Sequence, residues 1–313
     1  PSGRASAHIA SKVLRREAPP DESAGTPEKQ ESAHPLGALL AVPGMAVIDT
    51  VAEKIVEDQG FRQSDLEVAV ARSAVILCHL LILTALVMIG WQHFSSPSTG
   101  VGMATLYLLL PLTALNVEKI DHLLPSVFLV WSVYAYRRPA ASGVLMAMAG
   151  VFFYPLFLLP LWTGFYWRRG AKRFLLCFAG VTILLWSIIW FLDPLRSFME
   201  VWTSSVAWKA WDFQQNPETL GLWTESTQFF RLPIFIVFTA ATIIVAFWPA
   251  EKNLAELIAL SVALILGVQF WYADRGGSYI HWYLPLLLLM IFRPNLQDVR
   301  PPARGGKASA VSR

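Results

Sequence analysis

Charge is what this 313-residue sequence has least of: only 15% of it is Asp, Glu, Lys or Arg, against 55% hydrophobic residues. With a mean hydropathy of +0.48, that balance excludes an ordinary soluble domain. Cysteine is also scarce. Cys78 and Cys177 both sit inside apolar runs, which argues against a disulfide framework or a metal site and reads as buried, inert thiols. There is no P-loop, no GxGxxG in a βαβ setting, no HExxH and no CxxC pair, so soluble nucleotide chemistry is not supported. The net charge of +3 is small and its basic residues lie at segment ends, which excludes a nucleic-acid surface as a partner. No internal repeat is visible. The chain opens at Pro1 with neither an initiator Met nor a signal-peptide pattern. It is expected to be the C-terminal part of a longer protein, with further helices upstream.

What the sequence has in abundance is long apolar runs without charge, bounded by polar turns. A bilayer as solvent demands this pattern, because an unpaired charge or backbone group in hydrocarbon is costly. The expected fold class is all-α: a polytopic integral membrane protein with about eight membrane segments. They are Ser73–Trp91, Val101–Leu115, Leu123–Tyr136, Ala140–Trp167, Phe174–Leu192, Leu232–Trp248, Leu257–Tyr272 and Tyr279–Phe292. Residues 1–72 read as external or interfacial loop and amphipathic helices, with Asp49–Arg72 as a surface helix. The apolar piece His34–Val47 is too short to span comfortably and is interrupted by Pro43-Gly44. Residues 73–293 form the membrane domain, residues 193–231 a long external loop, and residues 294–313 a basic tail expected to be disordered in the cytoplasm.

Lys and Arg set the orientation. Placing Arg168–Arg173 in the cytoplasm makes the 193–231 loop external, the turn at 249–253 internal, Ala273–Ser278 external and the tail internal. Arg137-Arg138 then poses a problem. If that cluster is also cytoplasmic, Ala140–Trp167 must enter and leave on one side. Two halves of about 14 residues rise only about 20 Å each, which suits a hairpin of two short helices turning near Tyr154-Pro155. The alternative is one long tilted helix with one basic cluster outside. The hairpin is preferred, and it also makes Asn116–His122 (NVEKIDH) external.

Four external pieces then converge: NVEKIDH, the hairpin tip, the 193–231 loop, and residues 273–283. Ionisable groups at a membrane boundary can hold a phosphate head group or act as acid and base. Asp121 and His122 are the first candidates, with Glu118 and Lys119 beside them. Asp121 is equally suited to cap the helix that follows. In the long loop, Trp202, Trp208, Trp211 and Trp223 lie among Asp212, Asn216, Glu218 and Glu225. Aromatic faces beside carboxylates suit sugar rings, and an interfacial aromatic belt is the competing reading for each Trp. Arg275 can clamp a phosphate. His281 opens the last span, where an ionisable residue is either functional or a helix-end histidine bonded to backbone or water. His79, inside the first span, reads as structural.

At these residues the chain resembles the bacterial GT-C glycosyltransferases, in particular the polyprenol-phosphate-mannose-dependent branch, glycosyltransferase family 87. ASAHIASKVLRREAPP and HPLGALLAVPG occupy the places of that family's surface helix and its Pro-rich segment. NVEKIDHLLP, RRPAASGVLMAMAGVFFYP and SYIHWYLPLLLL then match in order, so the likeness covers most of residues 5–295. The resemblance implies a multi-span fold with an external active site. It implies a polyprenyl-phosphate-linked sugar as donor, an acidic base acting on the acceptor hydroxyl, and inversion at the anomeric carbon. It implies no cofactor, and this branch generally needs no metal. There are two departures. The family's usual base, an Asp in the first external loop, would fall at or upstream of Pro1. Its phosphate-holding Lys before the hairpin Pro is Phe152 here.

The expected function is therefore transfer of a sugar, mannose by the resemblance, to a cell-envelope acceptor in the bacterial inner membrane. Asp121 and His122 would be catalytic. Lys119, Arg275 and His281 would hold the donor phosphate, and Trp211, Asp212 and Asn216 the sugar or acceptor. A lipid or solute transporter and a non-catalytic scaffold are the rival readings.

Overall fold

The computed structural model describes residues 63–111, 120–192, 227–271, 280–294, 296, 299 and 300. Among these residues every regular element is helical. The helices are α1 (Gln63–Gln92), α2 (Pro97–Leu109), α3 (Ile120–Tyr134), α4 (Pro139–Gly150), α5 (Leu159–Phe165), α6 (Ala171–Leu192), α7 (Arg231–Phe247), α8 (Leu254–Trp271) and α9 (Ile280–Phe292). A 3-10 turn, Tyr154–Leu158, precedes α5. Arg72–Gln92, Ala171–Ile188 and Leu254–Trp271 are long and apolar enough to cross a membrane. The outward faces stay apolar: Leu80, Leu108, Leu176, Ile183, Val237, Ile244 and Ile291 are all exposed. Contiguous exposure on that scale suits lipid rather than water.

The sequence suggested a surface helix ending at Arg72 and a separate span beyond it. Instead α1 runs unbroken from Gln63. Neither Pro nor Gly occurs in it before Gly90, so nothing in the backbone chemistry stops the helix at the polarity change. Later boundaries carry local signals. Ser96 caps α2, accepting from the Thr99 N–H at 3.3 Å, with Pro97 in the first helical position. Asn253 and Glu256 form a reciprocal capping box at α8: Asn253 N–H donates to Glu256 Oε2 at 2.9 Å, and Glu256 N–H to Asn253 Oδ1 at 2.8 Å.

The 140–167 stretch folds back on itself. α4 packs along α6, with Gly143 against Phe174 and Gly150 against Phe178, so the two helices run in the same direction. The chain between them must therefore return, and it does so at Val151–Phe153 and through α5. The turn comes slightly before the prolines. Phe153 has φ 69° and ψ −63°, and the Tyr154 N–H donates to the Phe152 carbonyl at 2.9 Å. This is a γ-turn of the rare positive-φ hand, strained for a residue with a Cβ. An aromatic box holds it. Phe153 meets Trp271 and Phe157 edge-on, and Phe157, Phe235 and Phe238 all pack around Trp271. The two ends of the stretch meet as well. Tyr166 Oη donates to the Tyr136 carbonyl at 2.7 Å, and a Cβ on Gly170 (φ 132°) would lie 2.8 Å from Pro139.

This fold-back gathers charge at one end of the bundle. His93, after α1, bonds the Tyr134 carbonyl at the end of α3. Gly164 in α5 lies against the Ala246 backbone near the end of α7 and close to Lys252. The Leu254 N–H donates to the Val299 carbonyl, and an Arg293 guanidinium N–H donates to the Ala255 carbonyl. Of eleven described Lys and Arg residues, nine lie at this end: Arg137, Arg138, Arg168, Arg169, Lys172, Arg173, Lys252, Arg293 and Arg300. Only Arg72 and Arg231 belong to the other. Part of the tail is ordered against this end too. Leu296 is buried, and Arg300 pairs with Glu251. Apolar Leu296 and Val299 supply the packing that a purely polar tail would lack; residues 301–313 lie outside the described residues.

Candidate functional site

The end opposite the basic clusters is where the starts of α3 and α9 meet. Both helices begin there and run side by side. Ser126, on the second turn of α3, donates its hydroxyl to the His281 carbonyl at 2.5 Å. His281 itself is buried, 2% exposed. Its ring lies 6.3 Å from that of His79 on α1, at 68°. The His79 Nδ1 is in turn 2.9 Å from the hydroxyl of Tyr107 on α2. Next along α9, Trp282 stacks on Tyr154 with centroids 3.8 Å apart and planes 6° from parallel. The buried Tyr154 hydroxyl lies beside Ser126. Two imidazoles, two phenols, a hydroxyl and an indole thus converge from α1, α2, α3, the hairpin and α9. Polar groups in a lipid-facing bundle are costly unless they are partnered. His79 with Tyr107 and Ser126 with the His281 carbonyl are, whereas the buried Tyr154 hydroxyl makes no hydrogen bond among the described residues.

Of the residues singled out in the sequence, His281 is part of this cluster. Asp121 and His122 sit in the first turn of α3, five and four residues before Ser126, so their backbone is at the same end; side-chain description begins at Leu123. Lys119, Arg275, Trp211, Asp212 and Asn216 lie outside the described residues, as do Glu118 and the rest of the loop tryptophans. Phe152 is buried at the hairpin tip, within the apolar core. Ser126, Tyr107 and Tyr154 were not apparent as site residues, because none is ionised at neutral pH and each sits in an apolar run. One signal was available: Ser126 follows His122 by four residues, one helical turn.

Arg231 is the described cation nearest the aromatic box. It opens α7, is buried, and its Nε donates to the Trp271 carbonyl at 2.9 Å. A cation against the last carbonyl of α8 suits the negative end of that helix. Among the described residues no three His, Cys, Asp or Glu side chains come together as a metal site requires.

At the basic end two further groups are tuned. The His93 Nε2 bonds the Tyr134 carbonyl at 2.8 Å, which can only accept, so that nitrogen carries the proton. Burial pushes the His93 pKa down from its ordinary value; the Tyr134 bond opposes this and the Arg137 charge adds to it. Lys252 is 4% exposed, and its Nζ donates to the carbonyls of Ala246 and Pro249 at 3.0 and 2.8 Å. Its pKa is lowered by burial, with Glu256 pulling the other way.

No protein-family model, no curated protein and no solved structure matches this chain. The functional reading therefore stands on the residues and their arrangement.

Proposed function

We propose that this is a polytopic inner-membrane protein of GT-C type, with about eight membrane segments counting the α4–α5 hairpin as one. In this reading it transfers a sugar from a polyprenyl-phosphate donor to a cell-envelope acceptor. The observation that carries the proposal is the fold-back of residues 136–170. It puts both Arg pairs at one end, and the positive-inside tendency makes that end cytoplasmic. The α3 and α9 starts, with Asp121, His122 and His281, then face the outside. Two helix N-termini side by side present backbone N–H groups and positive dipole ends, which favour a lipid phosphate. Carboxylate and imidazole in the same turn of α3 are suited to take the proton from an acceptor hydroxyl as it attacks. Loss of a phosphate leaving group needs hydrogen-bonding or cationic help. Lys119, Arg275 and His281 are the candidates for it, while Trp211, Asp212 and Asn216 are the candidates for sugar or acceptor.

The test uses membranes containing the full chain and any upstream segment, supplied with radiolabelled polyprenyl-phosphate mannose. Label should pass to an envelope acceptor with wild type and fall at least a hundredfold with Asp121→Asn. Unchanged transfer by that variant would move the base elsewhere. Absence of transfer from any polyprenyl-phosphate sugar would remove the enzyme reading. A lipid transporter is the second reading, favoured by the broken segment Val151–Leu158 within the bundle. Counterflow of labelled lipid in vesicles, without product formation, would support it.

A further inference from the structure

The tip of the hairpin reaches the candidate site. The sharp turn at Phe153 sends consecutive side chains to different helices. Phe153 meets Trp271, the last residue of α8, edge-on with ring centroids 6.3 Å apart. Tyr154 lies flat on Trp282, in the first turn of α9, with centroids 3.8 Å apart and planes 6° from parallel. Tyr154 is 1% exposed, and its hydroxyl lies beside Ser126 of α3. Ser126 in turn donates to the carbonyl of His281, the residue before Trp282. One residue of the tip therefore touches both helices whose starts make the candidate site. The contacts close a triangle: hairpin to α9, hairpin to α3, and α3 to α9.

The turn that aims Tyr154 carries a cost. A positive φ at a residue with a Cβ is strained and persists only where its surroundings hold it, a pattern that recurs at active sites and ligand clamps. Stacked rings also set orientation as well as distance. His281 sits between the two ties, its own carbonyl bonded to Ser126 and its neighbour Trp282 stacked on Tyr154. The place of its imidazole therefore follows from where the tip holds the first turn of α9. We propose that Tyr154 is a positioning residue for the donor phosphate: through Trp282 and Ser126 it holds the first turn of α9, and with it His281, beside the start of α3. This role rests on the proposed binding of a polyprenyl phosphate at those two helix starts. It does not require that the sugar be transferred.

The experiment is equilibrium binding of polyprenyl phosphate, and of the corresponding polyprenol, to the full chain with any upstream segment in neutral detergent. Wild type should prefer the phosphate. Tyr154→Leu removes the stack. It should weaken phosphate binding about tenfold, the cost of misaligning one hydrogen bond to a charged group, and leave polyprenol binding unchanged. Tyr154→Phe keeps the stack and loses only the hydroxyl, so it should keep most of the binding. Adding Tyr154→Leu to Trp282→Leu should weaken binding no further, because both remove the same contact. Should Tyr154→Leu lose its cooperative unfolding transition, Trp282→Phe shortens the stack and should cost about threefold, again for the phosphate alone. Equal losses for phosphate and polyprenol would mean a merely structural role. Wild-type affinity in Tyr154→Leu, or losses that multiply in the double variant, would also overturn the proposal. A wild type that does not prefer the phosphate would defeat the donor reading, and this role with it. Preference without sugar transfer would defeat transfer alone.

Discussion

Gly143→Ala is the substitution that probes the packing of the hairpin most directly. A Cβ at this position would lie 3.2 Å from the Phe174 carbonyl carbon and 3.3 Å from its Cα, with the carbonyl oxygen closer still. These are backbone atoms, so no rotamer change relieves the clash; α4 and α6 must separate by several tenths of an ångström. The aromatic neighbours of Phe174 (Trp162, Tyr166 and Phe178) would lose contact in turn. Overpacking of this kind costs about 1–3 kcal/mol. The better helix propensity of Ala returns up to about 1 kcal/mol, so the net loss should be roughly 1–2 kcal/mol. Gly180→Ala is the internal control. It lies on the same α6, but nothing stands within 4 Å of its added Cβ, so it should be neutral or slightly stabilising. Both variants would be unfolded thermally and chemically in the same detergent, with tryptophan fluorescence as the probe. If Gly143→Ala proves as stable as Gly180→Ala, α4 and α6 do not pack as described, and the argument for the fold-back loses its main contact.

Other outcomes follow from single bonds. Tyr166→Phe leaves the buried Tyr136 carbonyl without its side-chain donor and should cost about 1–3 kcal/mol in the same unfolding assay, with little change in secondary structure. Asn253→Ala removes half of the α8 capping box and should cost about 1 kcal/mol. His93 supplies a pH test. Its folded pKa lies below the ordinary 6.5, so the unfolded chain takes up the proton first as pH falls. The stability this histidine contributes should be complete above about pH 6.5 and should drain away below it. His93→Gln can still donate to the Tyr134 carbonyl and cannot titrate, so the difference in stability between pH 7.5 and 5.5 should shrink; an unchanged difference would show that His93 is not the group responsible.

Much of the architecture was legible because a bilayer punishes misplaced charge. The helix boundaries of α6, α7, α8 and α9 agree with the apolar runs to within three residues, since Lys, Arg, Pro and the Asn253–Glu256 box mark them. The fold-back was legible for a similar reason: two basic pairs flank a run too long for one crossing and too short for two. Its tip was legible to within a residue or two: expected near Tyr154-Pro155, the chain turns at Phe153, in a conformation held by packing around Trp271. The course of α1 through Arg72 was hidden because polarity changes there while helix propensity does not. For the candidate site, His281 and the first turn of α3 were visible as ionisable groups at a boundary. Ser126, Tyr107 and Tyr154 became visible only when the topology brought separate helices together, which no local pattern encodes.

The central claim is that Arg137-Arg138 and Arg168-Arg169 share one side of the membrane. The direct measurement is labelling with a membrane-impermeant maleimide in sealed cells and inverted vesicles, in a background where Cys78 and Cys177 are replaced by Ser. Single cysteines would be placed at Ala140 and Trp167, both exposed beside the basic clusters, and at Phe229, exposed at the opposite end. The account predicts that Ala140→Cys and Trp167→Cys react from the same compartment and Phe229→Cys from the other. Reaction of Ala140→Cys and Trp167→Cys from opposite compartments would mean one long crossing helix, and would contradict the hairpin together with the functional reading built on it.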